Sequence, residues 1–167
     1  MKKNSFKSII GLIIFGIAFG FVEAAVVYYL RTIFGLGTNF APVGNYKVIL
    51  NLGVITFLSS GSIILPNARV LHAEVLREIA TIIMLIAVSY VSAEKIRQRV
   101  GAFLITFSMW DIFYYVFLYF LTGWPRSLMD TDVYFLNPVP WVGPVATAVM
   151  ASTILFIVGS RMYLKKS

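Results

Sequence analysis

Carboxylates set among apolar residues are the groups in this sequence with chemistry to offer. The chain has seven acids: Glu23, Glu74, Glu78, Glu94, Asp111, Asp130 and Asp132. Glu23 and Asp111 fall inside apolar runs. A charge there costs roughly 2.5–3.5 kcal/mol even on insertion scales, so it turns toward protein or water. Oxygen ligands such as Glu23, Glu78 and Asp111 suit a hard cation, Mg2+, Ca2+ or Mn2+. The same groups serve as well in a buried ion-pair network with Arg31 and Arg77 that fixes helix register. A proton- or substrate-handling role is the third reading, and no metal ligand set is assigned.

Helical spacing groups the acids with polar companions. Glu74, Glu78 and Thr81 share one stripe, and Arg77, three residues from Glu74, is placed to pair with it. Ser108, Asp111, Tyr114 and Tyr115 recur at neighbour spacings around one face. Asp111 is therefore expected either to act as a proton carrier or base, or to accept bonds from Tyr114, Tyr115 or Arg77. Gly16 and Gly20 form a G-x-x-x-G pair that lets another helix approach closely, and Glu23 shares that face. His72, the one histidine, lies two residues from Glu74, about 200° away around a helix, so the two do not chelate together. It reads as an interfacial polar residue. With no cysteine in the chain, disulfides, thiolate sites and Cys nucleophiles are excluded. No phosphate-cradling, dinucleotide or serine-hydrolase motif is present.

The elements that position these residues are membrane helices. The 167 residues are 59% hydrophobic and 13% charged, against about a quarter charged in a soluble domain. The net charge of +7 does not indicate nucleic acid, because nine of the fourteen basic residues sit in three clusters flanking apolar runs, as membrane orientation signals do. Spans of about 20 apolar residues are read at 8–30, 73–93, 100–122 and 142–160, with Pro144 tolerated in a first turn. The first run is read as a retained span and not a cleaved signal, since it is too long for one and ends on Glu23, Tyr28 and Tyr29.

Segment 48–65 is also apolar but carries Asn51, Gly53, Gly61 and three serines. If it crosses, six basic residues lie inside and eight outside, against the positive-inside rule. If it does not, nine lie inside and five outside. The expectation is therefore an all-α polytopic bundle of four spans, both termini cytoplasmic, in a bacterial inner membrane. Segment 48–65 would be a re-entrant or interfacial hairpin bent near Ser59–Ser62, and five spans are the alternative. Six of the seven acids then collect at the extracytoplasmic side. The loop 123–141 holds three of the six prolines, Pro125, Pro138 and Pro140; too apolar for a solvated loop and too proline-rich for a helix, it is read as a structured cap. Trp124 and Trp141 suit the interfacial belt, and Arg126, Asp130 or Asp132 are expected above Glu23 and Asp111.

Five stretches carry a resemblance. They are Glu23-Ala24-Ala25-Val26-Val27-Tyr28-Tyr29-Leu30-Arg31, Arg77-Glu78-Ile79-Ala80-Thr81, Trp110-Asp111-Ile112-Phe113-Tyr114-Tyr115, Gly123-Trp124-Pro125-Arg126-Ser127-Leu128 and Pro138-Val139-Pro140-Trp141-Val142-Gly143-Pro144. The chain resembles a family of small bacterial membrane proteins without assigned function. The likeness is poor across 39–69, where this sequence is longer and more apolar. The family implies no activity, ligand or cofactor.

Three functions fit the sequence. The first is a bundle with a polar pocket, open to the extracytoplasmic side, that binds or processes a small or lipidic ligand. Its residues are Glu23, Arg31, Glu74, Arg77, Glu78, Ser108, Asp111, Tyr114, Tyr115, Arg126, Asp130 and Asp132. The second is a transporter or channel subunit, working as a homo-oligomer through Gly16 and Gly20. The third is a non-catalytic accessory or assembly protein whose acids are structural. The lipid bilayer is the one partner common to all three.

Overall fold

The computed structural model describes residues 2–36, 47–59 and 67–165. Four helices, α1 (Lys2–Phe34), α2 (Ala68–Val91), α3 (Ile96–Thr122) and α4 (Val145–Leu164), follow one another in that order along the described residues. Strands β1 (Val48–Asn51) and β2 (Thr56–Leu58) lie between α1 and α2, and β3 (Thr131–Phe135) and β4 (Trp141–Pro144) between α3 and α4. The four strands join into one antiparallel sheet of order β1-β2-β4-β3. The sheet pairs Phe57 with Trp141 and Asp132 with Gly143.

An all-α chain is thus not what forms, and the reason is local. Val48, Ile49, Thr56, Phe57, Val133, Tyr134, Phe135, Trp141 and Val142 are β-branched or aromatic residues that suit a pleated surface. Short apolar runs of this kind have no period that separates strand from helix. Between β1 and β2, Gly53 takes φ +82°, and its N–H donates to Asn51 Oδ1 at 2.8 Å. The 48–65 run is therefore a β-hairpin through Leu58, which excludes a helical crossing there. Apart from Ser59, the expected bend at Ser59–Ser62 lies outside the described residues. The last span begins at Val145, because Trp141–Pro144 are strand and Pro144 stands as the extended residue before the helix.

Three helical stretches are long and apolar enough to cross a bilayer, Lys7–Phe34, Ile96–Thr122 and Val145–Leu164. Their large residues lie bare, among them Ile14, Ile33, Phe120, Met150 and Ile154. Water would not tolerate so broad an apolar surface, whereas lipid covers it. Helix α2 is 24 residues long but carries Glu74, Arg77 and Glu78 in its first half. Asn67 caps it, its Oδ1 accepting from Arg69 N at 2.9 Å. Gly123 ends α3 in the left-handed region at φ +71°.

In lipid, apolar burial does not drive helices together, so close backbone approach must. Helix α3 is the hub. A Cβ at Gly20 would lie 2.8 Å from Trp110 O and 3.0 Å from Tyr114 N, and one at Gly16 would lie 2.6 Å from Met109 Cβ. The α1 glycine pair is spent on α3 of the same chain, which removes the basis for an oligomer seam at Gly16 and Gly20. A second seam was not anticipated. A Cβ at Gly159 would lie 2.9 Å from Gly101 O, and one at Gly101 would lie 2.8 Å from Gly159 O, which seats α4 on α3.

The two ends of the bundle differ in charge. At one, Tyr163 OH donates to Ser92 O at 3.1 Å, Arg97 donates to Lys165 O, and Ile9 of α1 packs with Ala102 and Tyr163. Lys95, Arg97, Arg99, Arg161 and Lys165 gather there. At the other lie the sheet and most of the acids.

Candidate functional site

Helix α1 brings Glu23 to the middle of its sheet-side half by the same face that carries Gly20. Helix α2 presents Arg77 opposite. The guanidinium donates from Nη1 to Glu23 Oε2 at 2.6 Å and from Nη2 to Glu23 Oε1 at 2.7 Å. It also donates from Nε to Glu74 Oε2 at 2.9 Å and from Nη2 to Glu74 Oε1. One planar cation thus holds two carboxylates in fork geometry, a task suited to Arg and not Lys. The bond to Glu74 is the i,i+3 pair read from spacing; that to Glu23 ties α2 to α1.

One residue further along, Glu78 turns to the cap. Its carboxylate accepts from Leu136 N at 3.0 and 2.9 Å and from Asn137 Nδ2 at 3.0 Å. Asn137 Nδ2 also donates to Val75 O at 3.1 Å. The cap is therefore fastened to α2 by side-chain and backbone hydrogen bonds.

Asp111 of α3 accepts from Ser152 Oγ of α4 at 2.7 Å. The expected donors Tyr114, Tyr115 and Arg77 are not its recorded partners. Tyr114 OH instead donates to Asp132 Oδ2 at 3.3 Å. Asp132 sits on β3, 4% exposed, with Arg31 Nη2 3.8 Å from its Oδ1. Burial pushes the Asp132 carboxyl up to about 6, against the opposing pull of Arg31 and of the tyrosine hydroxyls. Arg31 also lies over the Trp124 ring, 4.4 Å from its centroid, within cation–π range. Trp124 is fully buried, so it is not the interfacial anchor its position in the cap implied.

These groups surround one cavity of about 120 Å3, lined by Glu23, Arg31, Glu74, Arg77, Glu78, Asp111, Tyr114, Tyr115 and Asp132 together with Trp110, Tyr134 and aliphatic residues. A single water needs about 10–15 Å3 of such space, so the room suffices for several waters or one small polar group. Three residues of the expected pocket stand elsewhere. Ser108 is buried and donates back to Leu104 O of its own helix. Asp130 Oδ2 accepts from Arg126 N at 2.8 Å and Ser127 N at 3.2 Å, closing a turn in the cap. The Arg126 side chain is exposed. His72 is exposed as well.

Sequence reading missed Ser152 and Asn137, and it took Trp110, which lines the cavity, for a packing residue. Ser152 had a signal: it is a polar residue seven positions into an apolar helix, and a buried carboxylate elsewhere in the bundle needed a donor. Asn137 had none, because its role depends on how the cap folds back. Among the described residues no group of three or more His, Cys, Asp or Glu is placed to hold a metal ion. Glu23, Glu78 and Asp111 each bond to a different partner and do not form a common oxygen cage. No protein-family model, curated protein or solved structure matches the chain.

Proposed function

We propose that this chain is a four-crossing membrane protein, akin to the small bacterial membrane proteins its motifs resemble. Its acid-rich cavity binds or processes a small or lipid-derived ligand. On this reading α2 is the fourth crossing, and the sheet end faces out of the cytoplasm of a bacterial inner membrane. The basic residues at the opposite end support that orientation, since cytoplasmic faces carry the excess of Lys and Arg.

The observation that carries the reading is the convergence itself. Charged groups from α1, α2, α3 and β3 border one cavity that is large enough for a ligand group. Ionisable groups at bilayer depth are costly and mark ligand or ion pathways by default. A merely structural network would fill its own space with side chains, as protein interiors do.

Native mass spectrometry of protein extracted from membranes tests this. The expected result is a bound small molecule or lipid retained by the wild type and lost in folded Glu78→Gln and Asp111→Asn. Loss of nothing in either variant, or a wild type that always emerges empty, defeats the proposal. The accessory-protein reading then takes its place, favoured by the fact that Glu23, Glu74, Glu78, Asp111 and Asp132 all have hydrogen-bond or ionic partners.

A further inference from the structure

The cavity is rich in acids, yet its unmet bonds belong to donors. Arg77 binds Glu23 and Glu74 in forks. Glu78 has the cap, Asp111 has Ser152, and Asp132 has Tyr114. By contrast, Arg31 Nη1 is wholly buried with no hydrogen-bond partner among the described residues. Its nearest anion, Asp132, stands 3.8 Å from Nη2, too far for a hydrogen bond. The Trp110 indole is 6% exposed, and its buried Nε1–H faces Glu23 without reaching hydrogen-bond geometry. Both residues line the cavity.

A buried donor left without an acceptor costs about 1–3 kcal/mol, and more for a charged group. The missing partner of a guanidinium and an indole N–H is an oxygen acceptor, best an anionic one. Because the two donors stand on different helices, α1 and α3, an acceptor group with several divergent oxygens serves both better than a planar carboxylate. Val27, Leu30, Leu36, Val133 and Leu136 also border the cavity, which gives an attached apolar chain a surface to lie on. The neighbouring carboxylates oppose a doubly charged group, so a singly charged phosphodiester fits better than a monoester.

We propose that the cavity receives a phosphate ester carried on an apolar chain, its oxygens on Arg31 Nη1 and Trp110 Nε1. This rests on the ligand-binding reading above and names the ligand class for that site. The ester's source is a membrane lipid headgroup or a soluble phosphate compound.

The test uses the full chain in an uncharged maltoside detergent, with binding followed by calorimetry and by the thermal midpoint. Four probes are compared: dioctanoyl phosphatidylglycerol, dioctanoylglycerol, inorganic phosphate and octyltrimethylammonium. The expected result is binding of the phosphatidylglycerol at least tenfold tighter than of dioctanoylglycerol. Arg31→Gln should abolish that preference, Arg31→Lys restore part of it, and Trp110→Phe weaken it severalfold. Inorganic phosphate binding of comparable strength overturns the preference for a singly charged ester on an apolar chain; its failure beside a bound phosphatidylglycerol supports that preference and a lipid source. Preference for dioctanoylglycerol or octyltrimethylammonium overturns the phosphate class and leaves a ligand site of other chemistry. Binding of no probe by the wild type overturns both this inference and the ligand reading. If Arg31→Gln does not fold, Arg31→Lys and Trp110→Phe decide: binding unchanged in both overturns the proposal.

Discussion

Removing the cation between two carboxylates is the sharpest perturbation this bundle offers. In Arg77→Met the side chain keeps a similar length, but Glu23 and Glu74 lose their shared partner. Their side chains are each 12% exposed, and that of Arg77 is 25% exposed. At an effective dielectric of about 20, unit charges about 4 Å apart interact by about 4 kcal/mol. Arg77 makes two such contacts, and the water it regains on removal offsets part of the loss. The net cost of breaking a buried pair by deleting one member is about 3–5 kcal/mol. Thermal unfolding in maltoside, followed by tryptophan fluorescence, should show the midpoint falling on the order of 10 °C for a chain of this size. The triple variant Glu23→Gln, Glu74→Gln, Arg77→Met leaves no charge stranded and should return to within about 1–2 kcal/mol of the wild type. If Arg77→Met alone costs under about 1 kcal/mol, the network behaves as an exposed surface pair. The claim that it ties α1 to α2 then fails.

Gly20→Val should lower the folded yield and cost about 1–3 kcal/mol by overpacking, because its Cβ would meet Trp110 O at 2.8 Å; Gly11→Val, with nothing within 4 Å, is the silent control under the same denaturant titration. Glu78→Ala should free the cap, so hydrogen exchange at Leu136 N should quicken at least tenfold while α3 amides keep their protection; unchanged exchange would show that the sheet holds the cap without α2. Asp132 gives a pH signature. Its folded-state carboxyl is raised from 3.8 to about 6, so the folded chain binds this proton more tightly than the unfolded one. That contribution to stability is present at low pH and is lost as pH rises from about 4 through about 6, by up to roughly 3 kcal/mol. The stability of Asp132→Asn relative to the wild type should therefore improve over that window. Parallel pH profiles for the two proteins would show that Asp132 does not titrate there.

The helices were legible because hydrocarbon demands about 20 apolar residues per crossing, and the glycine pair at 16 and 20 was legible because its spacing places both on one face. The inward turn of Glu23 and Asp111 followed from the cost of charge in lipid, not from any motif. The sheet was not legible. Thr56–Leu58 pairs with Trp141–Pro144 across more than eighty residues of sequence, and no local period announces such a pairing. The same blindness hid the bonds from Glu78 to Leu136 and Asn137. Spacing did gather Tyr114 and Tyr115 with Asp111, yet Tyr114 donates to Asp132, an acceptor on a strand whose position no helical period reveals.

The sequence of α2 contains no glycine, so this helix lacks the glycine seams by which α1 and α4 meet α3. At the sheet end, what ties it to α1 is a cluster of fixed charges, and the same helix carries the fastening of the cap. Neutralising the charges around Arg77 would therefore loosen a wall and its roof in one event, while the glycine seams on α3 stayed closed.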